Sequence, residues 1–253
     1  MASLNISNMT VQGEHGFLVN NVSTQVQPGE LVVILGANGA GKTTLLKATL
    51  GMLERQSGNA CIGEQSILDL DVTQRALQIA YLPQMRPLAW PCPVTDVVAL
   101  GRFAYGAHLG QLKEADVAAV EQALIDCDLA HLATRPTDQL SGGELARVHC
   151  ARAFAACTPW LIADEPTASL DPYHQICILQ LLKAYTSKGC GALVVLHNID
   201  LAAKYADQIL WMHKGQVIAS GPPQETLTED NLKQVFSVQA QVNEGRVTIK
   251  GIV

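Results

Sequence analysis

The sequence has no long apolar run, no excess of basic residues and no closely spaced cysteine pair, and each absence excludes a class of protein. No apolar stretch approaches the roughly 20 residues that a membrane-spanning helix needs. Lys and Arg number 17 against 23 Asp and Glu, a net charge of −6, which argues against a broad nucleic-acid-binding surface. None of the 7 cysteines belongs to a C-x-x-C pair, so we expect reduced thiols rather than a zinc site.

The start of the chain and its overall composition indicate a globular protein without a signal peptide. Residues 1–10 lack a basic segment followed by an apolar one, so we expect no signal peptide. Hydrophobic residues make up 48% of the 253 positions, which is enough for a sizeable core. The length fits one large domain or two small ones, and the sequence shows no internal repeat or low-complexity segment.

The most informative segment is a glycine-rich loop that follows an apolar run, Leu31–Leu35, and leads into a helix near Lys42. It fits the pattern G-x-x-x-x-G-K-S/T, in which backbone N–H groups surround phosphates, the lysine reaches the β- and γ-phosphates and the next hydroxyl ligates Mg²⁺. An ordinary glycine turn is the alternative, but the strand–loop–helix context favours a nucleotide site. The candidate binding residues are Gly36, Ala37, Asn38, Gly39, Ala40, Gly41, Lys42, Thr43 and Thr44.

Short apolar runs with helical stretches between them predict a mostly parallel sheet that is buried on both faces. A more alternating pattern near the start of the chain predicts an antiparallel edge sheet from Leu4–Val11 and Leu18–Val26. The strands predicted for the parallel sheet are Leu31–Leu35, Ile79–Leu82, Leu161–Asp164, Leu193–His197 and Gln208–Met212.

Residues 86–156 show no strand pattern, and apolar positions at helical spacing in Lys113–Cys127 predict an amphipathic helix there. We therefore predict an α/β fold: a P-loop NTPase core with a mostly parallel sheet, an antiparallel β edge subdomain and an inserted all-helical subdomain. In this scheme 1–253 is one domain, with the core in 1–85 and 157–253 and the helical subdomain in 86–156. For Pro222–Phe236 we predict a short pair of helices.

A second candidate site follows the apolar run that ends in Asp164 and Glu165. A buried strand that ends in an acid is the Walker-B arrangement, in which Asp164 coordinates Mg²⁺ and Glu165 acts as general base for the attacking water. Two acids after a strand can also mark a solvated turn. The phosphate loop in the same chain favours the catalytic interpretation.

A third candidate is the sequence Ser141-Gly142-Gly143-Glu144, which opens a helix. Ser141 and Glu144 have the spacing of a capping box, which explains those two positions structurally. A helix start also offers N–H groups to an anion, and adjacent glycines allow close backbone approach. The two roles are compatible, and we expect both.

These motifs and their order resemble the nucleotide-binding subunit of an ABC transporter over nearly the whole chain. Leu140–Glu144 resembles the family signature, and Ser169–Asp171 resembles its D-loop. Gln84 matches the Q-loop glutamine, which the resemblance implies as a Mg²⁺ or water ligand. His197 matches the switch histidine that contacts the γ-phosphate; a lone histidine at a strand end is more often structural, but its spacing after the Walker-B acids favours function.

The resemblance also implies partners and cofactors. Two copies would pair head to tail, with ATP and Mg²⁺ between the phosphate loop of one copy and Ser141, Gly143 and Asp171 of the other. A transmembrane permease would dock on the loop after Gln84, for which a plain surface loop is the alternative. A substrate-binding protein would act indirectly, no nucleic acid would be involved, and the protein would be cytoplasmic and peripheral on the inner face of the cell membrane.

The segments 88–102 and 200–207 are similar to importers of iron–siderophore complexes, haem and cobalamin. The two alternative functions are a soluble ABC ATPase acting on ribosomes or DNA, and a nucleotide-responsive regulator without turnover. The single motor copy and the absence of a coiled-coil insertion argue against the first, and Glu165 with His197 argues against the second.

One departure from the family pattern concerns adenine. No aromatic residue stands at the expected position near Gly13, where the family stacks adenine, and His15 or Phe17 is the candidate substitute.

Overall fold

The structure is a computed structural model that describes residues 2–84, 88, 90–243 and 246–253. Part of the predicted permease-docking loop after Gln84, namely Met85, Arg86, Pro87 and Ala89, lies outside the described residues. The chain forms two compact units: Met1–Leu70 with Gly191–Val253, and Asp71–Cys190. The subdomain boundaries at 86 and 156 stay a prediction.

The regular elements alternate along the chain in the manner of an α/β protein. The strands are β1 (Leu4–Gly13), β2 (Gly16–Val26), β3 (Leu31–Gly36), β4 (Ser57–Ile62), β5 (Gln65–Ser66), β6 (Ile79–Leu82), β7 (Trp160–Asp164), β8 (Gly191–Val195), β9 (Gln208–His213), β10 (Gln216–Gly221), β11 (Val238–Asn243) and β12 (Arg246–Ile252). The α-helices are α1 (Lys42–Thr49), α2 (Val72–Gln78), α3 (Val94–Ala99), α4 (Glu114–Asp126), α5 (Gly142–Ala155), α6 (Pro172–Ser187), α7 (Ile199–Tyr205), α8 (Pro223–Thr226) and α9 (Glu229–Phe236).

In the first unit, β3 is the central strand of a mainly parallel sheet. It pairs in parallel with β8 on one side and β9 on the other, and β10 closes the β9 edge in antiparallel register. Every residue of β3 and β8 is buried, which explains why both read as continuous apolar runs. The predicted strand Leu193–His197 needs a correction, because β8 begins at Gly191 and ends at Val195, so that His197 follows the strand.

The first unit also contains the predicted antiparallel sheet, with strand order β2-β1-β4-β5. The tail forms the predicted helical pair α8 and α9, followed by a β11–β12 hairpin. The sequence pattern predicts neither this hairpin nor the strands β4, β5 and β10. Their residues are only partly buried and carry few large apolar side chains, so their periodicity is weak and their pairing depends on tertiary partners.

The second unit pairs β6 with β7 in parallel and surrounds them with helices α2 to α6. Between Gln84 and Ala156 the described residues contain helices but no strand, which confirms the inserted helical segment. A buried ion pair anchors this segment: Arg102 Nε lies 2.9 Å from Asp116 Oδ1, and Arg102 Nη1 donates to the Ala155 carbonyl at 3.0 Å. Over the described ranges, no helix combines the length and the apolar character needed to cross a membrane.

Candidate functional site

The glycine-rich loop connects the end of β3 to the start of α1, as predicted. Gly41 takes the N-cap position with φ 96°, and a Cβ there would overlap the carbonyl oxygen of Leu18. Only glycine suits both requirements. Among the described residues, no side chain caps α1, and the start of a helix carries the partial positive charge that suits an anion.

The lysine of this loop is already folded over the loop backbone. Lys42 is only 6% exposed, and its Nζ donates to the Gly36 carbonyl at 2.7 Å and to the Ala37 carbonyl at 3.0 Å. Asn38 and Gly39 form the exposed apex of the loop. The ammonium group therefore lies inside the ring of backbone groups, at the position from which a lysine contacts a bound phosphate as a point charge.

The predicted metal-binding acid lies at the carboxyl end of a fully buried strand. β7 is buried over its whole length and ends at Asp164, which is 1% exposed. On the neighbouring strand β6, burial and then the charge of Asp164 raise the pKa of Tyr81. A carboxylate that is buried this deeply needs hydrogen bonds or a cation to compensate for its lost hydration.

The next residue, Glu165, adopts a left-handed backbone conformation with φ 49°. A non-glycine residue pays for such a conformation, and positions of this kind cluster at functional sites. Its carboxylate accepts a hydrogen bond from Gln84, with 2.7 Å between Gln84 Nε2 and Glu165 Oε2. The structure thus brings the predicted general base and the predicted Q-loop glutamine into direct contact. With the amide nitrogen on Glu165, the Gln84 Oε1 atom is the acceptor left for a water or a cation.

The helix start at Ser141 has the predicted capping box. Ser141 Oγ accepts from the backbone N–H of Glu144 at 3.2 Å, and Glu144 Oε2 accepts from the backbone N–H of Ser141 at 2.7 Å. Hydrogen bonds to its carboxylate, from the Ser141 backbone first and from the Ser141 side chain second, lower the pKa of Glu144. The capping role is confirmed, and the phosphate-binding role stays a prediction.

The predicted D-loop aspartate caps the following helix and binds a histidine that the sequence analysis had missed. Asp171 Oδ1 accepts from the backbone N–H of His174 at 2.9 Å, and Asp171 Oδ2 lies 2.8 Å from His174 Nδ1. The ring of His174 in turn covers Gly143 of the signature. The capping bond is readable from Asp-Pro at the helix start, but the contact with Gly143 depends on the tertiary fold.

Two further candidates lie in the first unit. His197 is exposed, two residues after β8, and the next residue, Asn198, caps α7 by accepting from the Leu201 N–H at 3.0 Å. His15 lies in the turn between β1 and β2, and Phe17 on β2 is 49% exposed. Both aromatic rings are therefore accessible, and the stacking of either ring on adenine stays a prediction.

The fold and these loops define a P-loop α/β ATPase. Residues 19–168, more than half of the chain, match the ABC transporter family. The hemin import ATP-binding protein HmuV of Pseudomonas fluorescens strain Pf0-1 is 37% identical over 94% of both chains, and that of Bordetella parapertussis is 38% identical over 95% of this chain and 94% of its own. The chain belongs to the ABC transporter family.

Solved structures agree with this assignment. A dimeric ATP-binding cassette in a post-hydrolysis state, bound to ADP and inorganic phosphate, superposes with a TM-score of 0.75 at 27% identity and covers 87% of this chain and 98% of its own. The predicted family and the predicted fold class are both confirmed.

Proposed function

We propose that this chain is the ATP-hydrolysing motor subunit of an ABC importer for haem or a similar iron chelate. The chain is an ATPase of the importer class, and the observation that carries the cargo proposal is its 37% identity to a hemin import ATP-binding protein over 94% of both chains. Iron–siderophore complexes and cobalamin are the other cargoes of the class that the sequence resembles. An ABC ATPase acting on ribosomes or DNA gains no support from these relatives.

ATP is the substrate, and the residues of 36–44 bind its phosphates. The position of this loop at the start of α1 supports this role, because the partial positive charge of a helix start suits an anion. The buried ammonium of Lys42 supports it further: on nucleotide binding it would exchange the Gly36 and Ala37 carbonyls for phosphate oxygens. The exchange is favourable because charge-assisted bonds to phosphate are stronger than bonds to neutral carbonyls.

Mg²⁺ is the cofactor, and the residues proposed to hold it are Thr43, Gln84 and Asp164. Their hydroxyl, amide and carboxylate oxygens are the hard ligands that Mg²⁺ takes in proteins. The burial of Asp164 supports this set, since a carboxylate with 1% exposure gains most from a cation. The bound ion would neutralise charge on the phosphate oxygens during hydrolysis.

Hydrolysis needs a positioned water and a base. Glu165 is the base, and its hydrogen bond with Gln84 keeps the two side chains side by side, so that both are able to contact the same water. His197 is exposed, two residues after β8, and is the residue proposed to contact the γ-phosphate. Because the chemistry of phosphoryl transfer leaves little covalent work to the protein, positioning and electrostatics supply most of the rate.

A second copy of the chain completes each site. In the head-to-tail arrangement, Ser141, Gly142, Gly143 and Glu144 of one copy face the nucleotide held by the phosphate loop of the other, and Asp171 lies at the same interface. The capped start of α5 supports this role: the capping box occupies the Glu144 N–H, while the N–H groups of the two glycines belong to the helix start that an anion prefers.

Membrane-embedded permease subunits are the further partners, and a substrate-binding protein acts through them. The permease docks on the loop after Gln84, where Trp90 is 69% exposed. A large apolar side chain that is this exposed is typical of a protein contact. The protein is accordingly cytoplasmic and peripheral on the inner face of the membrane.

The test is haem-dependent growth of cells in which the chromosomal copy of this chain is deleted. We expect the deleted strain to lose growth on haem as the sole iron source. The wild-type chain should restore growth and Glu165→Gln should not. Growth on ferric salt serves as the control for general fitness. Normal growth of the deletion strain on haem, with lost growth on a siderophore or a lost response to cobalamin, would reassign the cargo.

A further inference from the structure

The start of helix α5 carries a contact that its capping does not require. Gly143 is buried, and a Cβ at this position would overlap the imidazole ring of His174. The neighbouring Gly142 is exposed, and a Cβ there would meet no atom within 4 Å. The two adjacent glycines are therefore not equivalent: an alanine fits at 142, whereas the ring occupies the space that a side chain at 143 would need.

The ring is held in place by a bond beyond helix capping. Asp171 caps α6 through one oxygen, Oδ1, which accepts the His174 backbone N–H. Its second oxygen, Oδ2, lies 2.8 Å from His174 Nδ1 and fixes the ring orientation. The bonds from His174, its backbone N–H first and its ring second, lower the pKa of Asp171, so the aspartate stays ionised as an acceptor. With Nδ1 on the carboxylate, the Cδ2–Nε2 edge of the ring is directed at Gly143.

The chain Asp171–His174–Gly143 therefore links the D-loop to the signature within one unit. The two residues at the ends of this series of contacts, Asp171 and Gly143, are ones that the proposed function assigns to the nucleotide site of the partner copy. We infer that His174 is a positioning residue, which holds the start of α5 against the D-loop so that the signature N–H groups are presented to the γ-phosphate. This inference rests on the proposed ATPase function and adds a residue to it.

The geometry favours positioning over a purely structural role. The side chain of His174 is 25% exposed, so the ring is not a core residue whose burial stabilises the unit. Its other ring neighbour, Tyr173, is 71% exposed and contacts it edge-on at 5.1 Å. The ring is thus a partly exposed group that lies between the D-loop and the signature. Small shifts in the position of catalytic groups cost up to about 100-fold in rate, so its removal should affect turnover more than stability.

The test compares His174→Ala and His174→Gln in the full-length chain, with His131→Ala as the matched control at an exposed histidine of the same unit. We expect His174→Ala to lower kcat by about 10- to 100-fold, while the Kd of the monomer for ATP stays within twofold of wild type. His174→Gln keeps an amide donor for Asp171 and should recover most of the loss. His131→Ala should leave kcat unchanged.

ATP-driven dimerisation provides a second readout in the Glu165→Gln background. His174→Ala should raise the ATP concentration needed for half-maximal dimer formation, and His174→Gln should restore it. A kcat within twofold of wild type for His174→Ala would overturn the inference, as would a glutamine variant no better than the alanine variant. If the wild-type chain itself neither binds nor hydrolyses ATP, the proposed function fails instead.

Thermal unfolding tests the contact itself. Gly143→Ala should lower the unfolding temperature more than Gly142→Ala, because only position 143 lies against the ring. Adding His174→Ala to Gly143→Ala should remove the difference, since the space is then vacant. Equal destabilisation of Gly143→Ala in both backgrounds would show that the ring does not hold Gly143, and the inference would be wrong.

Discussion

At the residue scale, the hydrogen bond between Gln84 and Glu165 is the most specific feature of the site. The two residues are 81 positions apart in the chain, yet their side-chain atoms lie 2.7 Å from each other. The left-handed backbone at Glu165 turns its carboxylate toward the glutamine directly after a buried strand. This placement suits the proposed general base, because a carboxylate and an amide side by side are able to orient the same water.

Glu165→Gln tests this role with minimal change in volume. We expect kcat for ATP hydrolysis to fall at least 100-fold, since general bases contribute about 10²- to 10⁴-fold. The Kd for ATP should stay close to wild type, because the phosphate loop is untouched. Phosphate release under steady-state conditions gives kcat, and equilibrium binding of a fluorescent ATP analogue gives the Kd. Glu121→Gln, which alters an exposed carboxylate on α4, is the comparison. An unchanged kcat in Glu165→Gln would refute the base assignment.

At the scale of elements, the inserted helical segment depends on a buried ion pair rather than on apolar packing alone. Arg102 and Asp116 are 6% and 3% exposed, and Arg102 also lies over the ring of Tyr105, 3.5 Å from its centroid. A buried charge that loses its partner lowers the stability of the folded protein. The pair therefore connects α4 to the segment after α3 and, through the Ala155 carbonyl, to the end of α5.

Removing one partner of this pair should destabilise the protein strongly. We expect Arg102→Met to lower the free energy of unfolding by about 3–5 kcal/mol, because Asp116 is then a buried, uncompensated carboxylate. Urea denaturation followed by circular dichroism measures the change. Lys188→Met removes the exposed contact with Asp126 and should cost less than about 1 kcal/mol. The double variant Arg102→Met with Asp116→Leu should recover part of the loss, and its failure to do so would contradict the unpaired-charge explanation.

At the scale of the whole molecule, the proposed function requires two copies. Each proposed site takes its phosphate loop from one copy and its signature from the other. A copy with a defective phosphate loop and a copy with a defective signature should therefore form one intact site, but only if they pair head to tail. This makes the head-to-tail pairing testable without a structure of the dimer.

The prediction is that two inactive variants restore activity when mixed. Lys42→Ala should abolish ATP binding by its own loop, and Ser141→Arg should block the signature that serves the partner. In a mixed head-to-tail dimer, one site combines both defects and the other is intact, so hydrolysis should return to a measurable fraction of wild type. Coupled-enzyme ATPase assays over a range of mixing ratios measure it. Each variant alone is the control, and mixtures no more active than the variants alone would contradict the arrangement.

Local patterns carried most of the correct sequence predictions. The strand–loop–helix at 31–44, the acid at the end of β7 and the capping box of α5 each lie within a few consecutive residues, where backbone geometry and side-chain spacing are directly readable. The weakly patterned strand β4 and the hairpin of β11 and β12 were missed, because strand pairing at a sheet edge depends on neighbours that are remote in sequence.

The sequence by itself determined the family and the fold class and indicated the candidate nucleotide-site motifs. Each motif is a short segment with its own chemistry, and the order of the motifs and the apolar periodicity extend along the chain. Only the tertiary structure decided which of these residues touch. The Gln84–Glu165 bond and the packing of the His174 ring on Gly143 join segments that have no local relation. Long-range contacts of this kind arise from the packing of whole elements, so the spacing of residues along the chain does not encode them.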